Sequence, residues 1–180
     1  MTRARAVLVS VDGVNGAALR TAARAALAEV GRARRGGVSS WDASGLFGEL
    51  AVADEDAGTA SARTLLLLYA ADLAFRLRWE IEPALAEGKV VVAAPYVDTA
   101  VAFGRTAGIS GVWLTSLFNF APRPGDRRYV HAAPPRAVPD REGFVEFCCE
   151  RLMGVPAALT RQQVLDRARA QLQDAARRRG

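Results

Sequence analysis

Val7-Leu8-Val9-Ser10-Val11-Asp12-Gly13-Val14-Asn15-Gly16-Ala17-Ala18-Leu19-Arg20-Thr21 is the most informative stretch of this chain. Its apolar run reads as a buried strand, a glycine-containing turn follows, and a helix starts at once. That is the layout of a phosphate-binding loop, whose pattern is G-x-x-x-x-G-K-[ST]. Gly13 stands at the first glycine, and the next four positions fit. Ala18 then replaces the second glycine, Leu19 the lysine that reaches the phosphates, and Arg20 the hydroxyl residue that binds Mg²⁺. The outline of the loop is present, and its charge-handling side chains are missing.

The pattern continues outward from this turn. The first strand is expected over 5–11 and an Ala/Leu-rich helix over 18–31, ended by Gly31. A second strand follows over 36–42, then a short helix near Leu46–Val52 and an acidic loop at Asp54–Asp56. A long helix with a broad apolar face runs from Thr59 to Glu87 and is stopped by Gly88. Val90-Val91-Val92-Ala93-Ala94 reads as a buried strand, followed by helices over Thr99–Thr106 and Val112–Phe118. Tyr129–Ala133 reads as a fourth strand, ended by Pro134-Pro135, and helices over Arg141–Met153 and Thr160–Arg179 complete the chain. Strands alternating with helices predict βαβ units, and hence three α/β/α layers with a parallel sheet of four to five strands. Such sheets bind ligands at the carboxyl ends of their strands. The turn after residue 11 and the Pro95-Tyr96 turn both lie at that end, and they face one crevice if their strands are neighbours.

Composition bounds the function. The 180 residues, 51% of them apolar, suit a single domain over 1–180. Charges interrupt every apolar run before membrane-spanning length, and the run after the basic N-terminus stops at Asp12. A cytoplasmic protein without a membrane partner is expected. The net charge of +5 is almost wholly arginine, with Lys89 the only lysine. No second lysine is therefore at hand to restore the loop. The basic residues are scattered, apart from Arg177-Arg178-Arg179, so a nucleic-acid partner is not expected. Cys148 and Cys149 are adjacent, and His131 is the sole histidine. This set assembles neither a zinc centre nor a Ser-His-Asp or Cys-His centre, and no metal site is expected. The cysteines are expected on a helix face, and His131 in a strand as a structural residue.

Four stretches taken together resemble the thymidylate kinases across most of the chain. Val11 to Ala17 is similar to that family's strand and phosphate loop. Leu65-Leu66-Leu67-Leu68-Tyr69-Ala70-Ala71-Asp72-Leu73 is similar to its L-L-F-A-A-D-R helix. Ile81-Glu82-Pro83-Ala84-Leu85-Ala86-Glu87-Gly88-Lys89-Val90-Val91 resembles its I-x-P-A-L-x-x-G-x-x-V junction. Ala94-Pro95-Tyr96-Val97-Asp98-Thr99-Ala100-Val101-Ala102-Phe103 sits where the family has D-R-Y-x-x-S-x-x-A-[YF]. The resemblance implies a P-loop NTPase-like fold and dimerisation through long helices. A homodimer follows, or a heteromer with another protein.

The departures from the family fall on its chemistry. Besides Ala18, Leu19 and Arg20, the resemblance places Leu73 at the arginine that grips the substrate phosphate. Ala94 and Pro95 replace the Asp-Arg pair, and no counterpart of the E-P-G-G loop is found near Trp41–Gly45. The lid region between Ala133 and Arg141 is short, and the family's last strand has no evident equivalent. One lost electrostatic contact costs about 10²–10³ in rate, and an arginine finger about 10³–10⁵. A catalytically inactive relative is expected, acting as a nucleoside- or nucleotide-binding, scaffolding or regulatory subunit. ATP and Mg²⁺ enter only if kinase activity persists. The alternatives left open are an active or weakly active dTMP or nucleoside monophosphate kinase, or an enzyme repurposing the same crevice.

For a nucleotide, the candidate contacts are Asp12, Gly13, Asn15, Gly16, Arg20 and Thr21 in the turn, with Arg141 from the shortened lid. The resemblance puts Tyr69 at the ring that stacks on thymine and Phe103 at the wall of that pocket. Thr99 and Ala100 take the places of small residues near the base, Tyr96 follows the lost Asp-Arg pair, and Asn15 stands near the sugar. Asp72 and Asp98 are candidate acids. Core packing is the plainer reading of Tyr69 and Phe103, and surface or helix-end positions are the plainer reading of the two aspartates.

Overall fold

The computed structural model describes residues 6–30, 35–57, 60–131, 142–151 and 159–179. The order of elements is β1 (Val7–Gly13), α1 (Gly16–Val30), β2 (Gly36–Ser40), α2 (Leu46–Ala57), α3 (Ala62–Arg76), a π-helical turn (Leu77–Ile81) and α4 (Glu82–Ala86). There follow β3 (Val90–Ala94), α5 (Val97–Thr106), α6 (Gly111–Leu117), β4 (Asp126–Val130), α7 (Phe144–Arg151) and α8 (Arg161–Arg177). The sheet is parallel, with strand order β2-β3-β1-β4.

Alternation along β1 and β3 separates two cores. Val9, Val11, Val92 and Ala94 pack against Leu19, Ala23 and Ala26 of α1 on one face. Leu8, Val91 and Ala93 pack against α3, α5, α7 and α8 on the other. Helices therefore cover both faces, as parallel sheets require. β1 and β3 are hydrogen-bonded neighbours, with Val9 opposite Val92, so their carboxyl-end turns share one crevice.

Several boundaries move. The fourth strand is Asp126–Val130, not Tyr129–Ala133, and His131 lies just beyond it. Its Asp-Arg-Arg start looks like a loop, yet it pairs with Val9–Gly13. Charges there suit a half-buried edge strand, where they discourage pairing with another chain. The expected long helix is continuous from Ala62 through Ala86, but it carries the π turn at Leu77–Ile81. The Leu46 helix runs on to Ala57. Gly31, Pro134-Pro135 and Arg141 lie outside the described residues. Cys148 and Cys149 are free thiols, the first buried and the second half-buried.

Arg76, fully buried at the end of α3, fastens the sheet to the helices. Its Nε donates to Ser39 Oγ at 2.9 Å, and its Nη2 donates to Ser39 O at 2.8 Å and Pro95 O at 3.0 Å. Ser39 Oγ in turn donates to Glu80 Oε2 at 2.6 Å, from the π turn. The nearest carboxylate oxygen to Nη1, on Asp72, is 4.0 Å away. Removing a buried guanidinium strands these carbonyls without donors. Arg76→Met should therefore cost about 3 kcal/mol or more, read from the denaturant midpoint. A loss below about 1 kcal/mol would show that the carbonyls find other donors.

Candidate functional site

The crevice between the β1 and β3 ends is built mostly from groups already paired within the chain. Asp12, the penultimate residue of β1, is 1% exposed. Its Oδ1 accepts from Tyr96 N and Thr99 N at 2.9 Å, and from Thr99 Oγ1 at 2.8 Å. It thus caps the first turn of α5 from a neighbouring strand, satisfying amides that a helix start leaves unpaired. Thr99 Oγ1 also accepts from Gly13 N at 3.1 Å. Burial, and then the charge of Asp98, push the Asp12 carboxyl up to about 7, against the lowering effect of the Thr99 and Tyr96 donors.

The glycine turn is closed as well. Asn15 is the N-cap of α1: its Oδ1 accepts from Ala18 N at 2.9 Å, and its carbonyl from Leu19 N at 3.0 Å. Helical geometry therefore begins at Gly16, in the middle of the segment that would wrap a phosphate. Glu146 of α7 takes the remaining place. Its Oε2 accepts from Gly16 N and Gly143 N, each at 2.9 Å, and its Oε1 accepts from Asn15 Nδ2 at 2.7 Å. The positive ends of α1 and α7 converge on this carboxylate, an arrangement that favours negative charge. Gly143 makes the approach possible. A Cβ there would fall 2.8 Å from Gly16 N and 3.0 Å from Gly16 Cα.

What remains of the crevice is a cavity of about 110 Å³ lined by Gly16, Leu19, Arg20, Ser40, Trp41, Ala94, Pro95 and Gly143. Small-molecule sites usually span about 300–1,000 Å³. Among the described residues, Arg20 is the one charged side chain in that lining. Trp41 covers the cavity, its indole N–H donating to Glu142 O at 3.1 Å. The turn carrying Trp41 is itself fixed. Asp72, fully buried on α3, accepts from Asp42 N and Ser44 N at 3.0 Å and from Ser44 Oγ at 2.8 Å. Asp72 is therefore no surface carboxylate.

The aromatic candidates are buried. Tyr69 and Phe103 are both 0% exposed. Between them stands Phe144, its ring centroid 4.4 Å from that of Tyr69 and 5.4 Å from that of Phe103. The Tyr69 hydroxyl donates to Tyr96 O at 2.7 Å. Ala100 is fully buried beside them. The Tyr96 hydroxyl donates to Pro122 O at 2.8 Å, on the α6–β4 connection. Thr21 is exposed, and its hydroxyl bonds back to Ala17 O at 3.0 Å. Asp98 is mostly buried beside β4, accepting from the Tyr129 hydroxyl at 2.7 Å and from Arg179 at 2.6 Å. The structure thus gathers Asp12, Gly13, Asn15, Gly16, Arg20, Tyr96 and Thr99 at the crevice, while Thr21 points away. Glu146, Gly143, Phe144 and Arg76 escaped the sequence reading. A Gly with Glu three residues later, opening a helix, was the available signal for the first two.

A strand, glycine turn and helix on a parallel β2-β3-β1-β4 sheet, covered by helices, give an α/β fold like that of the P-loop NTPases. The thymidylate kinase of Ehrlichia chaffeensis superposes on it with a TM-score of 0.67 at 15% identity, over 96% of this chain and 82% of that one. Probable thymidylate kinases of Pyrococcus abyssi and Pyrococcus horikoshii are 43% identical over 58 residues, 32% of this chain and 28% of theirs. One from Pyrobaculum calidifontis is 32% identical over 81 residues, 45% of this chain and 42% of its own length. The chain thus matches less than half the length of these curated relatives. No protein-family model matches it. The chain is related to the thymidylate kinases and has their fold. Among the described residues, no helix is long and apolar enough to cross a membrane.

The Asp12 environment sets a pH dependence. Its carboxyl titrates near 3.8 when unfolded and at about 7 when folded. The folded chain binds the proton more tightly between those values, so stability should fall as pH rises through that window. Thermal melts of the wild type and Asp12→Asn between pH 4 and 8 isolate the effect. The wild-type profile should slope downward more steeply than that of the variant, and parallel profiles would refute the assignment.

Proposed function

We propose that this protein keeps the thymidylate kinase scaffold without phosphoryl transfer and serves as a scaffolding or regulatory subunit. The observation that carries this reading is the Glu146 carboxylate seated on Gly16 N, Gly143 N and Asn15 Nδ2 at the phosphate turn. A triphosphate approaching there meets a fixed negative charge and amides already in use. Mg-ATP does not fit the surrounding residues. Leu19 and Arg20 supply neither the phosphate-bridging ammonium nor a metal-binding hydroxyl, and Asp12 is committed to α5. Phosphoryl transfer depends on positioning and on cancelling developing charge, and this turn is equipped for neither. A nucleoside would have to displace Phe144 from between Tyr69 and Phe103, which favours the scaffolding arm over nucleoside binding.

The test is calorimetry and a coupled assay on the full chain with ATP, Mg²⁺ and dTMP. No ATP binding and no ADP release above background are expected. ATP-dependent phosphorylation of dTMP that disappears in Arg20→Ala would overturn the reading and favour a surviving kinase.

A protein partner is the second part of the proposal, and a second copy of this chain is the favoured one. Leu67, Phe75 and Trp79 are 53%, 40% and 66% exposed on successive parts of the long helix, the element through which the resembling family dimerises. Such large apolar side chains in a row suit an interface. Light scattering should give a dimer for the wild type and a monomer for Trp79→Glu. A monomeric wild type would remove the self-association and leave a different protein as partner.

A further inference from the structure

The face opposite Tyr96 from the crevice carries a second hollow. A cleft of about 440 Å³ lies between α5, α6 and the α6–β4 connection, within the usual range for small-molecule sites. It runs into a more open basin of about 700 Å³ along β4 and the end of α8, and the two share Arg123, Pro124, Arg127 and Arg179. Among the described residues, neither shares a lining residue with the cavity at the glycine turn. Tyr96 joins the two regions: its N–H is spent on Asp12 at the crevice, and the residue lines the cleft.

The cleft has two chemical halves. Val101, Leu114 and Phe118 make an apolar floor. Arg105, Arg123, Arg127 and Arg179 make a cationic rim. The acid within it, Asp98, is already shared by Arg127 at 3.5 Å, Arg179 at 2.6 Å and the Tyr129 hydroxyl. Asp126, in the basin, is held by Arg128 at 3.0 Å. Arg105 and Arg123 are exposed and have no ion pair among the described residues. Two forked donors without a counter-charge stand beside apolar surface. A guanidinium fork matches the oxygens of a phosphate, and two forks suit a group with several of them.

We infer that this cleft binds a small amphipathic anion, a phosphomonoester with an apolar or aromatic body. The body lies on Phe118 and Val101, and the phosphate lies between Arg105 and Arg123. Anion recognition in this chain is thereby placed away from the glycine turn.

Calorimetry with phenyl phosphate and with inorganic phosphate, on the full chain at fixed ionic strength, tests this. Phenyl phosphate should bind at least about tenfold more tightly than inorganic phosphate, because only it uses the floor. The Arg105→Ala/Arg123→Ala double variant should lose at least about tenfold in phenyl phosphate affinity. Both arginines are exposed and have no ion pair among the described residues, so the variant should fold. Arg123→Glu alone carries the same expectation should it not. No binding at about 10 mM, a value already weaker than useful recognition, overturns the proposal. So does equal affinity for the two probes, or an equal loss in Arg24→Ala on α1, which would mark bulk charge. A loss in Arg20→Ala but not in the double variant would place the anion at the crevice and overturn it too.

Discussion

Burying a charge is expensive unless the chain supplies it with partners. Asp12, Asp72 and Arg76 are all fully or almost fully buried at the carboxyl end of this sheet. Each finds its partners largely in the backbone of a crevice loop. Asp12 takes amides at the start of α5, Asp72 takes amides of the Asp42–Ser44 turn, and Arg76 takes the carbonyls of Ser39 and Pro95. These three side chains organise the crevice loops. Their conformations follow from internal solvation, and the rest of the crevice is packed around them.

The glycine turn completes that logic. A turn rich in free amides is a natural anion site, and leaving such amides buried without acceptors is costly. Glu146 and Asn15 remove the cost from within the chain. Once that is done, position 19 no longer needs a cation, and Leu19 joins the core beneath α1. Ala94 does the same on β3. Leu19 and Ala94 in the core and the Glu146 carboxylate on the turn belong to one arrangement. The relationship to thymidylate kinases accordingly lies in the scaffold, and the activity of this chain has to be argued from its own side chains.

Much of the scaffold was legible in the sequence because β1 and β3 are buried on both faces, so that β3 is wholly apolar and β1 nearly so up to Val11. β4 was misplaced because an edge strand carries charges that mimic a loop. The aromatic pocket could not be told from core. Tyr69 and Phe103 sit on helices in apolar surroundings either way, and what separates the cases is Phe144, which arrives from α7 late in the chain. Asp72 and Arg76 were illegible for a related reason. Their spacing on α3 looks like an ordinary surface pair four residues apart, and only their distant partners, the Asp42–Ser44 turn for Asp72 and Ser39 and Pro95 for Arg76, show both turned inward.

The shared carboxylate has a consequence for motion. Helix ends normally fray one at a time, each at its own small free-energy cost. Here the first turns of α1 and α7 hold the same anion, and Gly143 sits against Gly16 with no room between. Neither end can loosen without exposing the other's amides. The crevice and α7 therefore belong to one cooperative opening unit, and hydrogen exchange at Ala18 and Phe147 would proceed through a common open state, with Phe144 leaving the core in the same event.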